Sequence, residues 1–225
     1  MFEQQIPVNY ESSSNLIQID SWLRELDTHS EIALDFETAI RYTSAELAEF
    51  QAIVDSPTST KLEKRIAKSK LTATALDHPS HSTITHLSAA WSESDAKVFI
   101  INSPKILNRI LYWLTTTDTT QIWHNASYDF KQIYHYTHKF PKNYEDTQIF
   151  AKTIINHVET YKAKTGLKEL AGHWYGDWAI SADNFTTSQM YEEHVLRYAA
   201  TDACATFRLW QSINNLTTKD QNGTN

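Results

Sequence analysis

The spacing of hydrophobic and polar positions changes along the chain, and each change predicts an element. Glu31-Ile32-Ala33-Leu34-Asp35-Phe36-Glu37-Thr38 is a short apolar run ending in alternating carboxylates, the pattern of a strand. Before it, Trp22, Leu23 and Leu26 form the stripe of a short helix over 21–27, with Asp20 as N-cap. Residues 1–14 read as a loose polar leader. After it, Leu47, Phe50, Ile53 and Val54 recur at helical spacing until Pro57, and a second helix is expected over 61–71. Period-two patterns then predict a hairpin, 83–91 with 97–101, turning at Glu93-Ser94-Asp95. Pro104 opens a helix with its apolar face at Ile106, Leu107, Ile110, Leu111 and Leu114.

The strand 121–123 runs into a helix beginning near Ala126, and Tyr144–Thr147 reads as a last short strand feeding a helix through Ile149, Phe150 and Ile154. A helix from Thr165 stops near Gly176, and a final long helix runs from an N-cap at Ser188 to about Ile213, before a disordered tail over 214–225. Five strands interleaved with helices predict an α/β fold, a mixed sheet with helices on both faces. No repeat or linker divides the chain.

Composition narrows the class. The 225 residues are 41% hydrophobic and 12% aromatic, enough for one globular core. The single cysteine allows no intrachain disulfide, which suits a reducing, cytoplasmic setting, and its apolar neighbours place Cys204 in the core. No basic, apolar leader and no spanning apolar run is seen, so no membrane role is expected. The net charge of −7 argues against a protein that coats nucleic acid, though not against one that grips a few terminal nucleotides.

Candidate chemistry begins in the first strand. Asp35 and Glu37 share one face while Phe36 takes the other. Two like charges at neighbouring same-face positions repel, and a hard divalent cation between them removes the conflict. Two later stretches answer them: Asp129 in Trp123-His124-Asn125-Ala126-Ser127-Tyr128-Asp129-Phe130, and Tyr198 with Asp202, four apart on one helical face. Lys61, Lys64, Arg65 and Lys68 make the most basic window of an acidic chain and are candidates for contacting a phosphate backbone. His78, His81 and His86 match no metal-ligand spacing.

Four acids and a phenol in this order resemble the DEDD superfamily of 3′–5′ exonucleases, in the subgroup whose third motif carries Tyr. The likeness covers about residues 15–213 and is closest to the proofreading domain of family A DNA polymerases. It implies a ribonuclease H-like, mixed five-stranded sheet with a helical insertion over about 39–82, longer than the usual link. It implies two divalent ions, Mg²⁺ or Mn²⁺, held by Asp35, Glu37, Asp129 and Asp202, with Asp35 bridging both. Tyr198 would orient the attacking water, Asn125 would shape its turn or touch the substrate, and Thr38 would receive the terminal nucleotide. The implied substrate is a nucleic acid 3′ end, with DNA favoured over RNA. Because no polymerase domain follows the third motif, either a free-standing enzyme or one subunit beside a separate DNA polymerase or replication protein, of phage type, is expected. Ribonuclease D-like RNA trimming and an inert docking module are the alternatives.

Overall fold

The computed structural model describes residues 6–40, 42, 44–71, 79, 82–155, 165–176 and 187–222. In chain order the elements are β1 (Asn9–Ser13), α1 (Leu16–Leu26), β2 (Glu31–Ile40), α2 (Ser44–Asp55), α3 (Lys61–Leu71), β3 (Ser82–Ala90) and β4 (Asp95–Ile100). There follow α4 (Pro104–Thr116), β5 (Thr120–Trp123), α5 (Ser127–Thr137), β6 (Tyr144–Asp146), α6 (Thr147–Ile155), α7 (Leu167–Tyr175) and α8 (Glu193–Asn222). The strands form one mixed sheet in the order β1-β4-β3-β2-β5-β6. β2 pairs antiparallel with β3 and parallel with β5.

The alternation of β2 sorts its side chains between two layers. Ile32, Leu34 and Phe36 join a core with Trp22 and Leu26 of α1, Ile110 and Leu114 of α4, and Phe130 and Ile133 of α5. Ala33 faces the other way, into a core with Ala199, Ala200 and Ala203 of α8 and Tyr175 of α7. Asp35 and Glu37 share that second face. Small side chains on both sides let α8 lie close against the sheet, so residues on its inner stripe reach the strand. Cys204 is buried there as a packing residue, as its neighbours predict.

The structure corrects several boundaries. The sheet has six strands rather than five, because residues 9–13 of the expected loose leader form an edge strand parallel to β4. Ile6, Val8 and Tyr10 pack at period two against the α8 core. Glu11 accepts from Lys97 Nζ at 2.7 Å, tying the strand across. α1 begins earlier than expected and is capped by Asn15, whose side chain accepts from Ile17 N and Gln18 N, while Asp20 lies inside the helix and pairs with Arg109 at 2.5 Å. Ser188 sits in a short 3₁₀ turn (Thr187–Gln189), and α8 starts only at Glu193 and continues to Asn222, through most of the expected disordered tail. The segment over about 39–82 contains the two expected helices, α2 and α3, which follow a β2 longer than expected. His78 and His81 lie outside the described residues; His86 is buried and its Nε2 donates to the Met190 carbonyl at 2.7 Å, a core role.

Candidate active site

β2 runs past the end of β5: the last paired residues are Ala33 and Ile122. Beyond that point the β5 side of β2 is open, and the chain turns at Asn125 into α5. Asn125 adopts φ 63, a left-handed conformation that Asn tolerates better than most residues. Asp146, at the end of β6, accepts from Asn125 N at 3.0 Å, Ala126 N at 2.9 Å and Gln148 N at 2.9 Å. One carboxylate thus secures the turn and the entry to α5. The next turn of α5 brings Asp129 to the open edge of β2, where Asp129 Oδ1 accepts from Phe36 N at 3.3 Å.

From the other layer, α8 presents Tyr198 and Asp202 one turn apart. Ligand oxygens of Asp35, Glu37 and Asp202 all lie within 4.8 Å of one another. Asp129 is near enough for its charge to act on both Asp35 and Glu37. All five candidates therefore surround one point, supplied by one strand and two helices from opposite faces of the sheet.

Burial, then the charges of Glu37, Asp129 and Asp202, holds the Asp35 carboxyl well above the usual range. Burial first, and Asp202 next, pushes Glu37 up to about 8. Burial also pushes Asp129 up to about 8, against the lowering effect of its backbone hydrogen bonds. Burial, followed by Asp202, Glu37 and Asp35, raises the Tyr198 phenol, and its hydrogen bond to Asp202 adds to the effect. Such a cluster is costly without cations. Glu37 Oε1 is buried without a hydrogen-bond partner among the described residues, an orphaned acceptor on a residue of the cluster. The donor set is all oxygen, which suits Mg²⁺ or Mn²⁺. The residues fit a divalent ion.

Several contributors were not legible as site residues. Lys168 of α7 pairs with Asp202 and lies 3.8 Å from the Tyr198 ring centroid, so an ammonium partly balances the acids. Tyr128 shares a 2.5 Å hydrogen bond with Thr38 Oγ1. That bond lies beside a bulge, where the β2–β3 register shifts between Glu37 and Thr38. His124 contacts Thr147 Oγ1 at 2.8 Å and donates to the Thr165 carbonyl at 2.9 Å, joining α5's entry to α6 and α7. Asn125 accepts from Ser127 Oγ at 3.1 Å, consistent with a turn-shaping role. Lys61, Lys64, Arg65 and Lys68 lie on α3, which packs on α2; among the described residues they form no ion pair with the acidic centre.

A cluster of carboxylates at the open edge of a mixed sheet, with a tyrosine one helical turn from Asp202, fits a hydrolytic nuclease of the ribonuclease H-like class. The chain belongs to the 3′-5′ exonuclease family, whose model matches residues 50–218, and with it to the DEDD superfamily. No curated protein sequence matches it. Among solved structures it is similar to Brucella melitensis NrnC with bound Mg²⁺ (15% identity, TM-score 0.55, covering 98% of this chain and 85% of that one). It is similar to the Aedes aegypti Nibbler EXO domain (12% identity, TM-score 0.60, 97% and 94%). It also resembles Trypanosoma brucei RNase D in complex with RNA U12 (13% identity, TM-score 0.57, 92% and 62%). At these identities the likeness is one of fold.

Proposed function

We propose that this protein hydrolyses single-stranded or frayed nucleic acid from the 3′ end, releasing nucleoside 5′-monophosphates, with two divalent metal ions. The observation that supports this most is the convergence of Asp35, Glu37 and Asp202 within 4.8 Å, together with a buried Glu37 oxygen that has no hydrogen-bond partner among the described residues. Asp35, Glu37 and Asp202 would hold one ion, and Asp35 with Asp129 a second. When bound, such ions lower the pKa of the attacking water and stabilise charge on the phosphate and the leaving oxygen. Tyr198, whose proton is held more tightly than in free tyrosine, acts as a hydrogen-bond donor that orients the nucleophile, not as a base. Thr38, fixed by Tyr128, lines the place where the terminal nucleotide would lie, and Asn125 shapes the adjoining turn. Lys61, Lys64, Arg65 and Lys68 remain candidates for the phosphates further along the strand. An inert docking module would be expected to have lost a ligand, and all four acids are kept.

Sequence resemblance favours DNA, delivered by a separate DNA polymerase or replication protein. RNA is at least as well supported, because the similar folds include an RNase D complex holding RNA. The discriminating contact is to the 2′-OH. 5′-labelled DNA and RNA oligonucleotides of matched sequence, digested with Mg²⁺ or Mn²⁺ by wild type, Asp35→Ala and Asp202→Ala, provide the test. A ladder shortening from the 3′ end, absent with both variants, is expected, and the faster substrate identifies the sugar. No digestion of either by wild type would sink the proposal.

A further inference from the structure

Residues 130–144, between the two ends of the site's turn, hold Lys131, His135, His138, Lys139 and Lys142 and no acid, in a chain of net charge −7. The same stretch carries a set of rings open to solvent. Tyr134 is 46% exposed, Phe140 54% and Tyr144 49%. Tyr134 and Phe140 are stacked, with centroids 5.0 Å apart and planes 19° from parallel. Beneath them Phe130 meets Phe140 at 6.0 Å and Tyr144 edge-on at 4.7 Å. Phe130 meets Trp123 at 5.9 Å, and Trp123 meets Phe36 of β2 at 5.7 Å. The surface rings are thus the outer end of an aromatic chain rooted in the core, and little ordering entropy remains to be lost when a flat partner lands on them.

Lys131 and Lys139 are exposed beside these rings, and among the described residues neither ammonium is in an ion pair. Lys142 is spoken for by Asp118 and the Thr116 carbonyl. The face shares α5 with the acidic centre. Asp129 lies in the first turn of α5, and Tyr134 lies about 7.5 Å further along its axis and roughly 140° around it. β6 leads from Tyr144 to Asp146, which secures the same turn. Rigid exposed rings flanked by exposed lysines are the combination that single-stranded nucleic acid recognises, with bases on rings and phosphates on ammonium groups.

We infer that Tyr134, Phe140 and Tyr144, with Lys131 and Lys139, form a stacking platform that receives the bases of a single-stranded substrate upstream of its 3′ end. The inference rests on the nuclease reading and deepens it. Every base has a π face, so the platform takes RNA and DNA alike, and the sugar is discriminated at the acidic centre alone.

The test separates binding from cleavage. Anisotropy of 5′-fluorescein 12-nucleotide RNA and DNA is measured in EDTA for wild type, Tyr134→Ala/Phe140→Ala and Lys131→Gln/Lys139→Gln. The aromatic variant is expected to raise Kd for both strands by about tenfold or more. The lysine variant, which leaves the packing untouched, is expected to flatten the log–log salt slope by roughly 0.7 per lysine. Cleavage of a dinucleotide, too short to reach the rings, is followed in parallel with Mn²⁺ and should be equal in all three. Unchanged 12-mer binding in the aromatic variant, with dinucleotide cleavage intact, overturns the platform and leaves the nuclease reading standing. A binding difference with no cleavage by wild type supports the platform and sinks the nuclease reading. If wild type does not bind the 12-mer, or if the aromatic variant only splits a self-associated form in sedimentation while binding persists, the platform is overturned; in the second case the face belongs to a second copy of the chain.

Discussion

At the scale of single residues, the balance of charge in the acidic centre decides what each side chain can do. Lys168 pairs with Asp202, so in the proposed site ammonium and metal would compete for one carboxylate. Lys168→Ala is expected to tighten Mn²⁺ binding several-fold in calorimetry. It should also destabilise the metal-free protein by about 1–3 kcal/mol, because Asp202 is left buried without its counter-ion. Weaker Mn²⁺ binding in the variant would show instead that Lys168 supports the loaded site. Tyr198→Phe removes only a hydroxyl that donates to its neighbours. It should lower kcat on the order of 10²-fold while Mn²⁺ affinity, read by the same titration, stays unchanged. The four acids and Tyr198 were legible because like charges on one strand face and a four-residue helical spacing are written in the chain. Lys168 was not: in Leu167-Lys168-Glu169-Leu170 it looks like any solvated helix lysine, and only the packing of α7 on α8 turns it inward.

At the scale of elements, the site depends on where β5 stops and how α5 starts. Asp146 accepts three backbone N–H groups around that turn. Asp146→Ala strands those donors, and a loss of about 2–3 kcal/mol in denaturant unfolding is expected, because each buried unsatisfied donor costs on the order of 1–3 kcal/mol and water recovers part of it. Activity should fall more than the fraction unfolded accounts for, because Asp129 is carried by the same turn. Equal losses in stability and activity would place Asp146 in folding alone. Helices and strands with clean periods were legible: α4, with Pro104 at its start, and the β3–β4 hairpin appear close to where the pattern puts them. β1 was obscured by its polar composition and the polar residues around the alternating Ile6, Val8 and Tyr10 that lead into it, since a lone edge strand gains meaning only when β4 offers it a partner. Likewise Asp20 has the chemistry of a cap, but Asn15 is the residue that lies where the helix begins.

At the scale of the whole molecule, the buried acids set how stability follows pH. Glu37 and Asp129 titrate near 8 in the folded protein, against ordinary values of 4.5 and 3.8. Between those limits the folded state binds more protons than the unfolded chain, so the metal-free protein loses stability as pH rises from about 4 to about 8 and levels off beyond. His124, whose pKa burial lowers, acts in the opposite sense and only below its ordinary 6.5. Thermal melts in EDTA should therefore fall between pH 6.5 and 8, and millimolar Mn²⁺ should abolish or reverse that slope. A metal-free Tm that rises over this interval would mean the carboxylates are not buried together. The chain by itself determined the fold class, most of the elements and which acids to group together, because hydrophobic period and local charge repulsion are properties of neighbours in sequence. Tertiary structure alone decided which distant groups meet: Asp129 on the freed edge of β2, Lys168 among the carboxylates, and β1 on β4. Those contacts join residues distant in sequence, and only the packing of two helical layers on opposite faces of one sheet brings them within reach.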